Sequence, residues 1–168
     1  MPMRKEEKTS KVRQQSATQK HITIFKLRRA DDAKLMILAR KLWPYVPARD
    51  LKTVFGNAHK RPAKATLIGA RTDTALIGFI YATVRVDYVE GSDTSPVAYL
   101  EGIYVEPQHR KQGIAQEMLA ELESWSRKKG LTELGSDAYA TNKLSRRVHV
   151  RLGFKPQPLI APFLKKIA

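Results

Sequence analysis

Cysteine is absent from this 168-residue chain, and long apolar runs are absent as well. Without cysteine there is no disulfide bond, no thiolate zinc site and no cysteine nucleophile, so covalent chemistry has to use oxygen or nitrogen. No stretch approaches the roughly 18 consecutive apolar residues that a membrane-spanning helix needs. The basic N-terminus also lacks the apolar core of a secretory signal. We therefore expect a cytoplasmic protein that does not associate with membranes.

Acidic residues are scarce beside basic ones, with 16 Asp and Glu against 31 Lys and Arg, and the formal net charge is +15. This balance is typical of proteins that bind nucleic acid or a membrane surface. Residues 1–20 hold six of the bases and two of the acids, which leaves 25 bases and 14 acids in residues 21–168. Residues 86–108 are the exception, because they contain five acids and neither Lys nor Arg. We expect the functional site in this acidic segment.

Two parts of the chain differ in composition. Residues 1–20 are rich in Lys, Gln, Ser and Thr and contain almost nothing apolar. They cannot bury enough surface to offset the entropy lost on ordering, so they are predicted to form a disordered basic arm. Residues 21–168 have the length of a single domain with one core.

Hydrophobic periodicity in residues 21–168 predicts a mixed α/β domain. Strands are expected at 21–27, 64–70, 74–88, 97–105 and 131–136; helices are expected from Asp31 or Asp32 to about Trp43, and at 48–55, 113–129 and 142–152. The helix at 113–129 joins two strands, which predicts that these strands pair in parallel. After the last helix, three prolines remove backbone donors and disfavour further strands.

The segment RKQGIA (110–115) lies between a predicted strand and the start of a predicted helix. The first amide groups of a helix have no partner within it and carry the positive end of its dipole, so they can bind a pyrophosphate. Gly113 and Ala115 leave room for that approach, and Arg110 and Lys111 add positive charge. Taken alone, the pattern is more typical of an ordinary strand-to-helix turn with a solvated basic first turn.

In its context the motif resembles the acetyl-CoA loop of the GNAT superfamily of N-acetyltransferases, written Q/R-x-x-G-x-G/A after the fourth strand. Asn142 and LGF (152–154) also stand where that superfamily has a coenzyme-contacting Asn and a terminal LGF. The resemblance implies a GNAT fold, whose mixed sheet splays apart between the fourth and fifth strands, and acetyl transfer from acetyl-CoA to an amine. Backbone groups of Ile103 and Val105 are implied to bind the pantetheine arm. The residues implied to bind the coenzyme are Ile103, Tyr104, Val105, Arg110, Lys111, Gln112, Gly113, Ile114, Ala115 and Asn142.

A narrower resemblance concerns one group of bacterial aminoglycoside 6'-N-acetyltransferases. The stretch DYVEGSDTSPVAYLEGIYVEPQHRKQGIA (87–115) is similar to the third-to-fourth-strand hairpin and coenzyme loop of that group. TELGSDAYATN (132–142) and RVHVRLGF (147–154) resemble its motifs TEFASDAALDN and HxxLGF, and KLW (41–43) resembles its first-helix Trp. The resemblance implies direct acetyl transfer to the 6'-amine of an aminoglycoside, an antibiotic-resistance activity, and a homodimer.

Glu101, Asp137 and His149 are the candidate catalytic residues. Glu101 lies on the strand with the coenzyme contacts, so its carboxylate can hold an ammonium group or accept its proton through water; alternatively it pairs with a neighbouring base. The resemblance implies that Asp137 contacts the cationic sugar, and the alternative is a helix or turn cap. His149 stands where the wider superfamily has the Tyr that protonates the departing thiolate, and the alternative is a packed or surface His. Tyr139 is a second candidate for this acid.

Trp43 and Tyr88 offer flat apolar faces to sugar rings, and they complete the predicted substrate-binding set with Glu101 and Asp137. For Trp43 the alternative is a position in the core. Two other functions stay open on the sequence alone. In the first, the chain is an acetyltransferase whose acceptor is a polyamine, a peptide amine or another amino sugar. In the second, it is a nucleic-acid-binding protein that uses its basic arm and surface.

Overall fold

The structure is a computed structural model that describes residues 21–167, so the predicted arm at residues 1–20 lies outside it. The strands are β1 (Thr23–Lys26), β2 (Ala65–Arg71), β3 (Leu76–Arg85), β4 (Val97–Val105) and β5 (Leu134–Ser136). The helices are α1 (Asp32–Leu42), α2 (Ala48–Lys60), α3 (Ile114–Arg127) and α4 (Lys143–Arg151). Within the described range, none of these helices has both the length and the apolar composition needed to cross a membrane.

The five strands form one sheet in the order β1-β2-β3-β4-β5. Neighbouring strands from β1 to β4 are antiparallel, and β5 pairs with β4 in parallel, so the predicted mixed sheet and its parallel pair are confirmed. β4 has the predicted bounds. In contrast, α2 runs past the expected end at residue 55 to Lys60, because Leu51, Phe55 and Ala58 keep the apolar helical spacing through Gly56.

Helices cover both faces of the sheet. The buried residues of α1 are Leu35, Leu38 and Ala39, and those of α3 include Ile114, Met118 and Leu122. α1 and α2 pack on one face, where Phe79 of β3 is fully buried. α3 packs on the opposite face, around Ile80 and Leu100. The apolar faces predicted for α1 and α3 therefore enclose the sheet between two helical layers.

The start of α1 corrects the expectation that Asp31 or Asp32 caps it, because this helix has no side-chain cap hydrogen bond. The Asp31 carboxylate accepts the amide proton of Arg28 at 2.9 Å and closes a short 3-10 turn before the helix. Asp32 Oδ1 lies 2.8 Å from Nε2 of His59 on α2. Both carboxylates join neighbouring segments, a role that sequence spacing does not distinguish from capping.

Residues 155–167 follow α4 without forming a strand, as the prolines at 156, 158 and 162 predict. The apolar side chains of this tail are 72–95% exposed: Leu159, Ile160, Phe163, Leu164 and Ile167. α4 itself contains no buried residue, and β5 has β4 as its strand neighbour on one side only. The C-terminal part of the described chain therefore presents an uncovered apolar surface.

Glu133, just before β5, fixes the acidic loop between β3 and β4. Its carboxylate accepts the amide protons of Asp93 at 3.0 Å and Thr94 at 2.7 Å, and it also accepts the Thr94 hydroxyl. These hydrogen bonds, that of the Thr94 hydroxyl above all, lower the pKa of Glu133. The loop is thereby held beside the paired part of β4 and β5.

Phe79 tests the placement of the core, because it is fully buried with the ring centroids of Trp43 and Tyr104 at 5.8 and 6.4 Å. Phe79→Ala leaves a cavity, so we expect it to lower the free energy of unfolding by roughly 3–5 kcal/mol. Urea denaturation followed by circular dichroism measures the loss. Tyr45 is 96% exposed, so Tyr45→Ala is the control and should change stability by less than about 0.5 kcal/mol. Equal losses in both variants would contradict this core.

Candidate active site

β4 and β5 separate partway along their length. Their parallel pairing ends at Leu100 and Ser136, and β4 continues to Val105 without β5 beside it. Glu106 donates its amide to β3, and the backbone groups of successive strand residues point alternately to the two sides. The backbone groups of Ile103 and Val105 therefore face the open side. The sheet has the splay that the GNAT resemblance implies.

The turn before α3 has the backbone conformation of an anion-binding site. Lys111 and Gly113 both have positive φ angles, of 62° and 82°, and Gly113 directly precedes the first turn of the helix. Left-handed residues in such a turn direct successive amide groups toward one concavity, and the helix dipole adds positive potential. The nearest atom to a Cβ built at Gly113 is 4.0 Å away, so the backbone angle and not the space favours glycine there. These residues fit the phosphates of a nucleotide coenzyme.

Several side chains around this turn have structural contacts of their own. Arg110 donates Nε to the Val105 carbonyl at 2.8 Å and so ties the turn to β4. Gln112 Nε2 lies 3.4 Å from a carbonyl in the preceding turn. Ile114 is buried in the core, and Ala115 packs against the same core. The side chains of Ile114 and Ala115 anchor α3 in the core, so only the backbone amide groups of these residues can bind an anion.

Tyr104 and Asn142, both predicted to bind the coenzyme, also have contacts within the protein. Tyr104 pairs with Phe79 in the ladder with β3, and its ring packs with the α1 and α2 core. Its backbone is therefore directed away from the splay. Asn142 Oδ1 accepts the Ser145 amide at 3.0 Å and caps α4. This hydrogen bond uses one lone pair of the oxygen, and the amide NH2 group of Asn142 has no partner among the described hydrogen bonds, so it can donate to a ligand.

Glu101 occupies a β-bulge in β4. Tyr81 pairs with Gly102 and Ala82 pairs with Leu100, so Glu101 has no partner residue across the ladder. A bulge re-aims the neighbouring side chains, and bulges are frequent beside active sites. The Glu101 side chain remains 22% exposed, so a ligand can reach it.

Two residues of β3 hold the Glu101 carboxylate. Arg85 donates Nε to Oε1 at 3.1 Å and Nη2 to Oε2 at 2.7 Å, and Thr83 donates its hydroxyl to Oε1 at 2.5 Å. The Arg85 guanidinium also lies over the Tyr99 ring, with Cζ 3.3 Å from the ring centroid. Glu101 thus forms the ion pair with a neighbouring base that the sequence analysis gives as its alternative role, and it also borders the splay.

Asp137 lies next to this ion pair. Tyr99 donates its hydroxyl to Asp137 Oδ2 at 2.8 Å. Burial, together with the Asp137 carboxylate, raises the pKa of Tyr99 to about 12, so the hydroxyl remains a donor at neutral pH. The capping role considered for Asp137 belongs instead to Asn142, which begins α4. Glu101, Arg85 and Asp137 are therefore grouped around one tyrosine.

Trp43 and Tyr88 differ in how close they lie to this group. A Cβ built at Gly102 would be 2.3 Å from the Trp43 ring, so the indole packs directly on the backbone next to Glu101. Trp43 is half-buried and also contacts the α1 and α2 core, in agreement with the core position given as the alternative in the sequence analysis. Tyr88 is 80% exposed on the β3–β4 loop and donates its hydroxyl to Glu90 at 3.0 Å. Trp43 is thus part of the wall of the site, whereas Tyr88 belongs to its outer acidic loop.

His149 connects α4 with the end of β5. Nδ1 lies 2.8 Å from the Ser145 carbonyl, and Nε2 lies 2.8 Å from Ser136 Oγ, which is 2.9 Å from the Leu100 carbonyl. A carbonyl only accepts, so Nδ1 carries a proton in this arrangement. Ser136 donates its one hydroxyl proton to the Leu100 carbonyl, so its oxygen accepts from Nε2 when the ring is charged. When the ring is neutral, the hydroxyl has to turn away from Leu100 before it can donate to Nε2. Because Leu100 and Ser136 are the last β4–β5 pair, one hydroxyl separates His149 from the splay.

Four residues of the site were missed by the sequence analysis: Thr83, Arg85, Tyr99 and Ser136. Thr83 and Arg85 are two residues apart on β3 and therefore lie on the same face, a spacing that can be read from the sequence. The acidic segment without Lys or Arg begins at residue 86, one position after Arg85. What brings Arg85 to Glu101 is the hairpin register together with the bulge, and neither can be read from a single sequence.

The two sides of the site suit ligands of opposite charge. The amide groups of the turn and Lys111 favour an anion, whereas Glu101 and Asp137 favour a cation, with Arg85 beside them. Both sides border the unpaired stretch of β4, so an anionic donor and a cationic acceptor can be held next to the same strand. Among the described residues, no cluster of three or more His, Asp or Glu side chains could hold a metal ion.

Known proteins resemble most of this chain. A family model described as acetyltransferase (GNAT) family matches residues 33–154. The aminoglycoside N(6')-acetyltransferase type 1 of Salmonella typhimurium is 36% identical over 129 residues, which are 77% of this chain and 88% of that protein. The protein of the same name from Acinetobacter haemolyticus is 37% identical over 130 residues, which are 77% of this chain and 88% of that protein.

Solved structures show the same likeness. The aminoglycoside antibiotic 6'-N-acetyltransferase AAC(6')-Ih from Acinetobacter baumannii superposes with a TM-score of 0.82 at 32% identity, covering 88% of this chain and 100% of its own. AAC(6')-Iy in complex with the bisubstrate analog CoA-S-monomethyl-acetylneamine gives a TM-score of 0.80 at 33% identity, covering 88% of this chain and 99% of its own. With the splay between β4 and β5 and the turn before α3, these likenesses show that the chain has the GNAT fold and belongs to the acetyltransferase (GNAT) family.

Proposed function

We propose that this chain transfers the acetyl group of acetyl-CoA to the 6'-amine of an aminoglycoside and thereby confers antibiotic resistance. The observation that carries the proposal is the placement of two carboxylates beside Tyr99: Glu101 at the bulge of β4, the strand that leads into the anion-binding turn, and Asp137 after β5. Relatives named aminoglycoside N(6')-acetyltransferase support the choice of acceptor. We infer a cytoplasmic reaction, because the acetyl donor is a metabolite of the cell interior.

Acetyl-CoA supplies the acetyl group as a thioester. The amide groups around Lys111 and Gly113 would hold its phosphates at the N-terminus of α3. The backbone groups of Ile103 and Val105 on the open side of β4 would hold the pantetheine arm, with the Asn142 NH2 group as a further donor. The positive charge of residues 21–168 favours the approach of this anionic molecule.

Glu101 and Asp137 attract the ammonium groups of the acceptor, and the half-buried Trp43 offers a sugar ring a flat apolar face. The attacking amine has to be neutral, so its ammonium form loses one proton to Glu101, directly or through water. In the transfer a C–N bond forms while the C–S bond breaks; the nitrogen loses a second proton and the sulfur gains one. The products are an amide and a thiol, and no covalent enzyme intermediate is required.

His149 is the proposed source of the proton for the departing sulfur. The Ser145 carbonyl fixes the ring through Nδ1, which leaves Nε2 directed at the Ser136 hydroxyl. In the proposed relay the charged imidazole passes its Nε2 proton to Ser136 Oγ, while the Ser136 hydroxyl turns from the Leu100 carbonyl and gives its own proton to the sulfur. Ser136 stands where β4 and β5 begin to separate. The exposed Tyr139, which is 87% accessible, has no such connection to β5 among the described hydrogen bonds.

We propose that the chain forms a homodimer in which a second copy packs on the exposed apolar C-terminal surface. Five apolar side chains of residues 155–167 are exposed, α4 has no buried residue, and β5 has a strand neighbour on one side only. Exposed apolar groups concentrated in this way mark interaction sites. A symmetric pair of chains would bury the same surface on both partners.

Acceptor profiling tests the reaction. Purified full-length protein with acetyl-CoA should release CoA thiol with aminoglycosides that carry a 6'-amine and should not do so with counterparts that carry a 6'-hydroxyl. The reason is that only the amine can become the nucleophile poised at Glu101. A polyamine and a peptide amine are included as competitors for the alternative acceptors. Equal turnover of 6'-amino and 6'-hydroxyl compounds would remove the regiochemical claim, and turnover of the polyamine or peptide alone would replace the acceptor.

Removal of each carboxylate tests the acceptor pocket. Glu101→Gln should lower kcat/KM by about 100-fold or more, because the proton acceptor is lost. Asp137→Asn should lower it by roughly 10–100-fold, since one charge-assisted contact contributes about 1.5–3 kcal/mol. Glu123→Gln is the matched control; this exposed α3 residue pairs with Arg127, and its change should be less than about twofold. Full activity of Glu101→Gln contradicts the proposed base.

Mass measurement tests the dimer. By multi-angle light scattering the intact chain should have about twice its monomer mass of 19.0 kDa. The double variant Phe163→Ser with Leu164→Ser should shift the protein to monomer, because it removes two exposed apolar groups from the tail. The control double variant, Lys165→Ser with Lys166→Ser, should remain dimeric. A monomeric intact chain rules out this assembly.

A further inference from the structure

Arg85 and Thr83 together occupy three of the about four hydrogen-bonding positions of the Glu101 carboxylate that the proposed mechanism uses. The two oxygens of Glu101 offer about four lone-pair positions in total. Thr83 and Arg85 Nε fill both positions on Oε1, and Arg85 Nη2 fills one on Oε2. A single position on Oε2 therefore remains for an acceptor amine or a bridging water.

The titratable groups around Glu101 come from β3, from β4 and from the segment after β5. β3 contributes Arg85 and Tyr81, β4 contributes Tyr99, and Asp137 follows β5. Burial raises the pKa of Tyr81, and burial with Asp137 raises the pKa of Tyr99 to about 12, so both phenols are neutral at neutral pH. The charged set is one guanidinium and two carboxylates. The pocket has a net charge of one negative unit with Arg85 and two negative units without it.

We infer that Arg85 is a positioning residue that sets the protonation of the bound acceptor amine, an inference that rests on the proposed function. It holds Glu101 with one oxygen position open, and its positive charge disfavours the ammonium form of the amine that binds there. The acceptor is thus recognised by two carboxylates but is not retained as an unreactive cation.

Arg85 affects the protonation of the bound amine through the balance of charges next to it. Two uncompensated carboxylates would stabilise an ammonium ion and raise its pKa, whereas a neighbouring guanidinium lowers that pKa. Only the neutral amine attacks, so the rate rises with pH until the bound amine has lost its proton. The first proton passes to Glu101 and on to solvent. The second passes to solvent during transfer and balances the proton that His149 gives to the sulfur and later regains from solvent.

The test is the pH dependence of acetyl transfer by Arg85→Gln and Arg85→Met, with a 6'-amino aminoglycoside as acceptor. The acid limb of kcat should move to higher pH by about one unit, which lowers kcat near pH 7 by about tenfold. At high pH, kcat should return to within a few-fold of wild type. KM for the acceptor should fall by roughly threefold to tenfold near pH 7, because the pocket gains negative charge.

Two further variants separate charge from structure. Arg85→Lys keeps the positive charge but not the bidentate geometry, so its acid limb should remain within about 0.3 units of wild type while kcat falls. Arg127→Gln removes one positive charge from the exposed pair on α3, and it should change neither the limb nor KM. Thermal melting of every variant is measured in parallel.

Each outcome is decisive. An acid limb of Arg85→Gln and Arg85→Met at the wild-type pH, or a rise in KM with kcat unchanged, overturns the role of Arg85 while the proposed function stands. Failure of both charge-removing variants to fold also overturns it, because it would show that the guanidinium serves the fold. A wild-type protein that acetylates no 6'-amino aminoglycoside removes the proposed function, and this inference with it.

Discussion

After Leu100, β4 has β3 on one side and no strand on the other, and the organisation of the site depends on this one-sided pairing. Backbone groups that a complete sheet would use in its ladder are left facing outward, where they require another partner. The bulge at Glu101 lies at the start of the same stretch. One departure from regular pairing thus leaves open both the backbone groups proposed to bind the coenzyme and the carboxylate proposed to bind the acceptor. The turn before α3 follows directly from that strand.

The electrostatics of the chain favour its two substrates unequally. A net charge of +15 attracts an anionic coenzyme and opposes the approach of a polycation. The acceptor side compensates locally, because Glu101 and Asp137 both lie near Tyr99 and residues 86–108 contain no Lys or Arg. Arg85 enters this acidic region from the neighbouring strand and limits its negative charge. The pocket therefore attracts a cation without the full field of two free carboxylates.

Periodic segments of the chain were predicted well. β4 has the expected bounds, and α3 buries the apolar face that its spacing indicates, because both patterns are repeated over many residues. Single polar residues were less predictable. Asp31 closes the turn before α1 instead of capping that helix, and Asn142, predicted to contact the coenzyme, also caps α4. Short polar side chains have several local partners of similar energy, so their choice depends on the assembled backbone.

By itself, the sequence determined the order of the elements, the strand-to-helix turn RKQGIA and the family resemblance, because these depend on residues close together in the chain. Only the tertiary structure decided what surrounds the reacting groups. Arg85 reaches Glu101 across a ladder whose register shifts by one residue at the bulge, and Tyr99 reaches Asp137 across the β4–β5 pair. A shift of one residue changes which side chains face each other, and it is set by packing on both faces of the sheet rather than by local preference.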